Sequence, residues 1–217
     1  EFGPQVHKVY HGLDLSTIES RADERAQARP PLILSVGSLK EKKGFPYLIK
    51  GCRLLKDRGL DFTCQIIGGG PNRECLERLI SELRLENAVF LRGALPNKEV
   101  MAAYTHAAIL VQASVIGEDS DRDGIPNVVL EAMATGVPVI GSNISGIPEV
   151  IQDGVTGLLV EPADDNSLAN AIAKLLNDSE LRNELGSTGR RLVEENFNIR
   201  KNVDRLLELF GFSMFNR

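Results

Sequence analysis

No run of this sequence is apolar for the roughly 20 residues that a membrane-crossing helix needs, so no transmembrane helix is expected. Cysteine is sparse, and Cys52, Cys64 and Cys75 form an odd set without C-x-x-C spacing. They read as reduced, mostly buried thiols of a cytoplasmic protein and not as metal ligands. Positive charge is in deficit: 25 Lys and Arg against 30 Asp and Glu leave a net charge of −5, which disfavours a nucleic-acid partner. The three histidines, His7, His11 and His106, are scattered and assemble no nucleophilic triad; His11, beside Gly12, reads as a plain turn residue or as lining a hinge. Neither Ser35 nor Ser114 sits in an elbow motif. The N-terminus carries no signal-peptide pattern, and the chain shows no internal repeat and no low-complexity segment.

What remains is ordinary in composition. The 217 residues are 42% hydrophobic and 25% charged, which suits one large domain with a sizeable core. The chain opens Glu1-Phe2-Gly3 without a methionine, so an excised fragment with a cloning remnant is expected. Residues 1–30 read as a linker and N-terminal remnant, with a short strand and a turn within residues 8–14. Residues 31–195 read as an α/β domain, and residues 196–217 as a C-terminal helix and tail.

Within 31–195, short apolar runs alternate with helical periodicity. Residues 32–36, L-I-L-S-V, form a continuous apolar run, as in a strand buried on both faces. Further strands are expected at 62–67, 89–91, 108–111, 138–141 and 157–160. Between them Phe45, Leu48, Ile49, Cys52 and Leu55 recur at helical spacing, as do Cys75, Leu76, Leu79, Ile80 and Leu83. Ser179 is expected to cap a late helix, and residues 196–198 to break it. Parallel strands need crossovers, which helices supply. The fold expected is an open, Rossmann-like parallel α/β sheet of about six strands flanked by helices, with ligands at the carboxyl ends of the strands.

Residues 123–131 read D-G-I-P-N-V-V-L-E and place Asp123 and Glu131 eight residues apart on either side of an apolar run. A carboxylate in a loop, a turn, then a helix start with a second acid suits a ligand that carries a sugar and a phosphate. Backbone N–H groups at the helix start can face the phosphate, and carboxylates accept hydrogen bonds from sugar hydroxyls. After the first strand, Gly37 allows close backbone approach. Lys43 stands just before a helix, where its ammonium can meet a diphosphate. The same lysine cluster also reads as a solvated loop, and Lys40 and Lys42 are expected to be solvated.

Gly68-Gly69-Gly70 resembles half of a dinucleotide fingerprint, but the third spaced glycine is missing, so it reads as a tight turn near a ligand. Residues 118–123, E-D-S-D-R-D, hold two D-x-D triplets that read as an acidic, flexible loop rather than a metal site.

Together these segments resemble the C-terminal, donor-binding domain of GT-B glycosyltransferases, in the large retaining family numbered four, the glycosyl transferases group 1. The resemblance runs over residues 9–210. It rests on Y-H-G-L-D, V-G-S-L-K-E-K-K-G-F, I-I-G-G-G-P, V-F-L-R-G-A-L, D-G-I-P-N-V-V-L-E-A-M-A-T-G-V-P-V-I-G-S, S-G-I-P-E-V-I and D-G-V-T-G-L-L-V-E-P-A-D, in that order. The wording of residues 121–128 looks closest to bacterial enzymes that build surface polysaccharides or glycolipids.

The resemblance implies roles. Lys43 matches the lysine on the donor diphosphate, and Glu131 the acid on the nucleotide ribose. Asp123 matches the acid that holds donor-sugar hydroxyls. Gly37 and Ser38, with the turn through Gly124, Ile125, Asn127 and Val128, match backbone that approaches sugar and phosphate. Leu95 matches the region that meets the base. Two departures stand out: Asp123 replaces a usual Glu, and Ser38 a usual Arg. Losing that guanidinium removes a charge-assisted contact worth roughly 1.5–3 kcal/mol. Weaker donor binding follows, or compensation by Lys40 or Lys42.

The reaction implied is retaining transfer of a hexosyl group from a UDP- or GDP-sugar to a glycan or lipid-linked acceptor, with no metal and no cofactor. The acceptor site, and any contact with a membrane surface, would belong to an N-terminal domain, without which this chain is expected to bind nucleotide weakly and transfer almost nothing. Two other readings stay open: a GT-B relative of another class, such as a sugar-nucleotide epimerase, and a non-catalytic nucleotide-sugar-binding module. The face towards an N-terminal domain is expected to be partly apolar, and residues 206–215 to form a helix that returns to it.

Overall fold

The computed structural model describes residues 7–18, 30–117, 120–121 and 124–211. Six strands form a single, all-parallel sheet: β1 (Leu32–Val36), β2 (Thr63–Ile67), β3 (Val89–Gly93), β4 (Ala107–Gln112), β5 (Val139–Ser142) and β6 (Leu158–Val160). Their order is β3-β2-β1-β4-β5-β6. Among the described residues seven α-helices flank the sheet: α1 (Phe45–Asp57), α2 (Arg73–Glu82), α3 (Asn97–His106), α4 (Asn127–Ala134), α5 (Asp165–Asn177), α6 (Ser179–Asn196) and α7 (Ile199–Leu209).

The burial of each strand follows from its place in that order. β4 is buried at every position, as is β5, because helices cover both sheet faces there. Edge strand β3 exposes alternate residues, Phe90 among them. On one face, Phe45, Leu48, Ile49, Cys52 and Leu55 of α1 pack with Leu76 and Ile80 of α2 and Leu168 and Ile172 of α5. On the other, Tyr104 of α3 packs with Val129, Leu130 and Met133 of α4 and Val193 of α6.

Several local expectations are corrected. Asp178, not Ser179, caps α6: it holds the extended backbone that a cap requires, and its carboxylate accepts from the Leu181 N–H at 2.9 Å. Residues 8–14 form no strand. Within them Leu13 alone makes a bridge, because its N–H donates to the Phe197 carbonyl (2.7 Å) and its carbonyl accepts from the Ile199 N–H (3.0 Å). Tyr10 stacks on Phe197 with ring centroids 4.7 Å apart, and Asn202 Nδ2 donates to the Tyr10 carbonyl at 3.0 Å. This N-terminal segment is thus clasped at the break between α6 and α7. Cys52 and Cys64 are buried, while Cys75 is exposed on α2. The hydrogen bond with Cys64 and burial push the Cys52 thiol well up, which keeps it unreactive.

β1 and β4 lie side by side, yet the chain leaves them in opposite directions across the sheet. Loops that diverge from two neighbouring strand ends leave a crevice between them, and such switch points are where open α/β sheets take ligands.

Candidate functional site at the β1–β4 switch point

Gly37 and Ser38 stand at the carboxyl end of β1, and the Gly37 N–H still donates to the Ile67 carbonyl at 2.9 Å. The Lys43 stem folds over Gly37: a Cβ there would lie 3.3 Å from both Cδ and Cε of the lysine. Lys43 closes a 3-10 turn, Glu41–Lys43, which ends at Gly44 with φ +62. Any side chain at Gly44 would strike the Ala113 carbonyl, as its Cβ would lie 1.8 Å from that oxygen. The β1 and β4 loops therefore touch, and the Val115 N–H donates to the Lys42 carbonyl at 3.0 Å.

That closure corrects the expectation for Lys42. Its side chain is only 20% exposed and pairs with Asp121 Oδ1 at 2.9 Å, because the loop contact carries it beside the turn in which the Gly117 N–H meets the Asp121 carbonyl. The Lys42 ammonium holds the Asp121 carboxyl below the usual carboxylate range. Lys40 is exposed, as expected. Asp123 lies outside the described residues, as do Glu118, Asp119 and Arg122.

The run Gly68-Gly69-Gly70 supports the Gly37 loop from behind. A Cβ on Gly68 would lie 1.8 Å from the Gly37 carbonyl oxygen, and one on Gly70 2.7 Å from the Leu39 nitrogen. The Leu39 N–H donates to the Gly69 carbonyl at 2.9 Å, and the Asn72 N–H to the Leu39 carbonyl at 3.1 Å. Leu95 follows β3 and is half-buried against the core that holds Tyr104.

Across the crevice, Gly124 and Ile125 lead into α4. The neighbouring Gly146 presses on them, since its Cβ would lie 2.6 Å from the Ile125 nitrogen. Pro126 takes the cap position and is buried, and no side chain caps α4. The helix therefore offers open amides beside Asn127 and Val128. Asn127 Oδ1 lies 2.9 Å from His11 Nε2. One turn on, Glu131 occupies the same helix face as Asn127, and its Oε2 accepts from the Tyr104 hydroxyl at 3.0 Å. Burial, and then the Glu131 charge, push the Tyr104 hydroxyl well above its ordinary value, so it keeps its proton and donates.

The sequence reading misses Tyr104 altogether and does not anticipate what His11 meets. A tyrosine on a core-facing helix position reads as packing, and only its oxygen carries the polar signal. Ser35 and Ser114, read as lacking an elbow, are buried and structural: Ser35 Oγ donates to the Val111 carbonyl at 2.7 Å, and Gln112 Nε2 donates to Ser114 Oγ at 2.8 Å. Among the described residues no group of three or more His, Cys, Asp or Glu is placed to hold a metal.

A separate cleft of about 450 Å³ opens on the α1 side, among Tyr47, Lys50, Ile116 and Pro162. It includes none of Gly37, Lys43, Asn127 or Glu131, so the chemistry, not the volume, locates the candidate site. Ile116 is 55% exposed there, α7 exposes Val203 and Leu206, and Phe210 is exposed just past its end; residues 212–215 lie outside the described residues.

Comparison with known proteins agrees with this architecture. Residues 16–192 match the family described as glycosyl transferases group 1. WcaL of Escherichia coli K12, named for colanic acid biosynthesis as a glycosyltransferase, is 38% identical over 189 residues, which cover 86% of this chain and 46% of WcaL. A GDP-mannose-dependent alpha-(1-6)-phosphatidylinositol monomannoside mannosyltransferase of Mycolicibacterium smegmatis is 32% identical over 221 residues, 97% of this chain and 58% of that protein. The solved sucrose-phosphate synthase of Thermosynechococcus elongatus superposes with a TM-score of 0.83 at 29% identity, over 96% of this chain and 53% of that one. This chain spans about half the length of these relatives. The sheet order, the switch-point loops and the matched residues give one conclusion: the chain belongs to the glycosyl transferases group 1 family and has the Rossmann-like architecture of a GT-B C-terminal domain.

Proposed function

We propose that this chain binds the nucleotide-diphosphate sugar in a retaining hexosyltransferase that acts on a glycan or lipid-linked acceptor. The observation that carries the reading is the convergence at one switch point of a lysine folded over Gly37, an uncapped helix start at Asn127 and a pinned carboxylate at Glu131. As the bond from the anomeric carbon to the diphosphate oxygen breaks, negative charge grows on the leaving diphosphate. The Lys43 ammonium and the α4 amides are preorganised against that charge. Gly37, whose N–H is taken by the Ile67 carbonyl, lets the ligand approach the backbone closely; the amides of Ser38, Gly124, Ile125 and Val128 serve the phosphates or sugar, and Leu95 backbone serves the base. Glu131 accepts from ribose hydroxyls, and Asp123 positions the sugar. Lysine and amides supply the charge stabilisation that a divalent ion gives elsewhere, so no metal is required. The acceptor, and contact with the inner face of a membrane, belong to a further domain of a cytoplasmic enzyme. The named donor of the mycobacterial relative supports GDP-mannose as one candidate.

Calorimetric titration with UDP and GDP tests this reading. Saturable binding of one nucleotide, lost in Lys43→Ala and in Glu131→Ala, is the expected result. Binding that both variants retain would overturn it.

A further inference from the structure

We infer that Tyr104 is a positioning residue, whose buried hydroxyl sets the Glu131 carboxylate for the ribose hydroxyls of a nucleoside diphosphate. The inference rests on the assignment of Glu131 to the ribose.

Tyr104 is 0% exposed, the bulkiest of the fully buried side chains among the described residues, and it lies in a core whose other buried members are Leu, Val, Ile, Ala, Met and Phe. Phenylalanine would fill the same space, so packing alone does not call for the oxygen. That oxygen sits 3.0 Å from Glu131 Oε2. A glutamate side chain on a helix turns about three bonds, and a half-buried one samples several orientations unless something holds it. One donated hydrogen bond uses one of about four lone-pair sites on the carboxylate and leaves the rest for a ligand. The hydroxyl keeps its proton, because burial and the adjoining carboxylate both oppose ionisation. It is therefore a fixed donor that the carboxylate cannot exchange for water at no cost. The two residues come from α3 and α4, the helices on either side of β4. The contact thus ties the acid to a second helix rather than to its own alone. Preorganised acceptors lose less freedom when the ligand arrives.

The test is calorimetry with the nucleotide that binds, UDP or GDP, and its 2′-deoxy form, on the wild-type chain, Tyr104→Phe and Glu131→Gln. The wild type is expected to prefer the ribonucleotide by about tenfold, the value of a hydrogen bond to a charged group. In Tyr104→Phe this preference falls severalfold while affinity for the 2′-deoxy form holds, a pattern that loss of packing would not produce. If Tyr104→Phe keeps the preference and Glu131→Gln loses it, the positioning role falls and the ribose role of Glu131 stands. If Glu131→Gln keeps it too, the ribose assignment itself falls and the inference with it.

A second measurement covers the case in which Tyr104→Phe does not fold. The chain has 3 tyrosines, Tyr10, Tyr47 and Tyr104, so 3-fluorotyrosine labelling gives resonances assignable through Tyr10→Phe and Tyr47→Phe. The Tyr104 fluorine should shift with the ribonucleotide and not with its 2′-deoxy form. Equal shifts with both would overturn the proposal.

Discussion

The imidazole Nε2 of His11 lies 2.9 Å from the Asn127 Oδ1, joining the N-terminal segment to the first residue of α4. Because Oδ1 only accepts, Nε2 must carry the proton, and the asparagine amide is turned with its NH2 away from the linker. His11→Ala frees that amide at the point where the proposed diphosphate meets the helix. Nucleotide affinity should fall a few-fold, while the melting temperature moves little, as suits an exposed hydrogen bond worth about 1 kcal/mol. Unchanged affinity by calorimetry would show that the His11 contact does not reach the site.

The three consecutive glycines should not be equivalent. A Cβ on Gly69 meets only the Ala94 methyl at 3.8 Å, an ordinary contact. Gly69→Ala should therefore stay within about 0.5 kcal/mol of wild type. Gly68→Ala and Gly70→Ala drive a methyl into the Gly37 carbonyl and the Leu39 backbone. Each should cost about 1–3 kcal/mol or more by denaturant titration, and should weaken nucleotide binding by displacing the Gly37 loop. Equal effects at all three positions would refute this packing.

Glu149 gives the N-terminal segment a pH dependence. Its carboxylate accepts from Lys8 and from the Tyr10 hydroxyl at 3.1 Å, and Lys8 also lies 4.4 Å from the Tyr10 ring centroid. The Lys8 and Tyr10 hydrogen bonds hold the Glu149 carboxyl below its usual range, and Glu149 raises Lys8. For a depressed acid, the contribution is complete above the ordinary glutamate value, about 4.3, and is lost as pH falls through the folded value. For the raised lysine it is complete below about 10.4 and is lost at still higher pH. Hydrogen exchange of the Leu13 amide should thus be slowest relative to Glu149→Gln between these limits, and the difference should vanish in acid. A difference that persists at pH 2 would rule the pair out as the cause.

Ser38 invites a gain-of-function test. It is exposed at the end of β1, where the family resemblance of the sequence implies an arginine. Ser38→Arg should tighten UDP or GDP binding by about tenfold or more, the value of one charge-assisted contact. No gain, with the fold intact by circular dichroism, would mean that the diphosphate lies out of reach of this position.

The strands are legible because both sheet faces are covered: 32–36 and 108–111 read as short apolar runs, and the strands there are buried almost throughout. The glycines are legible as turns but not as supports, because the partner of Gly68 is a carbonyl thirty-one residues back in the chain. Lys42 misleads for a similar reason: a lysine in a charged loop reads as solvated until Val115 and Asp121 close on it. At the candidate site, Lys43, Asn127 and Glu131 are visible through their wording. Tyr104 and His11 act through one atom each, across 27 and 116 residues of sequence, and no periodicity encodes that. Residues 8–14 read as a short strand and a turn, but a strand needs an edge to pair with, and here only Leu13 finds one.

The clasp at Leu13 has a mechanical consequence. Tension applied ahead of residue 7 runs along the backbone to Tyr10 and Leu13 and is there shared with Phe197, Ile199 and Asn202 through hydrogen bonds and a ring stack. Gly12 lies flush against the Ile199 backbone, where a Cβ would sit only 2.4 Å away, so nothing bulky levers the two segments apart. While the clasp holds, the load passes into the junction of α6 and α7, and through His11 and Tyr10 into Asn127 and Glu149, ahead of β1. It is a strain relief, like the knot that spares a plug from its cable.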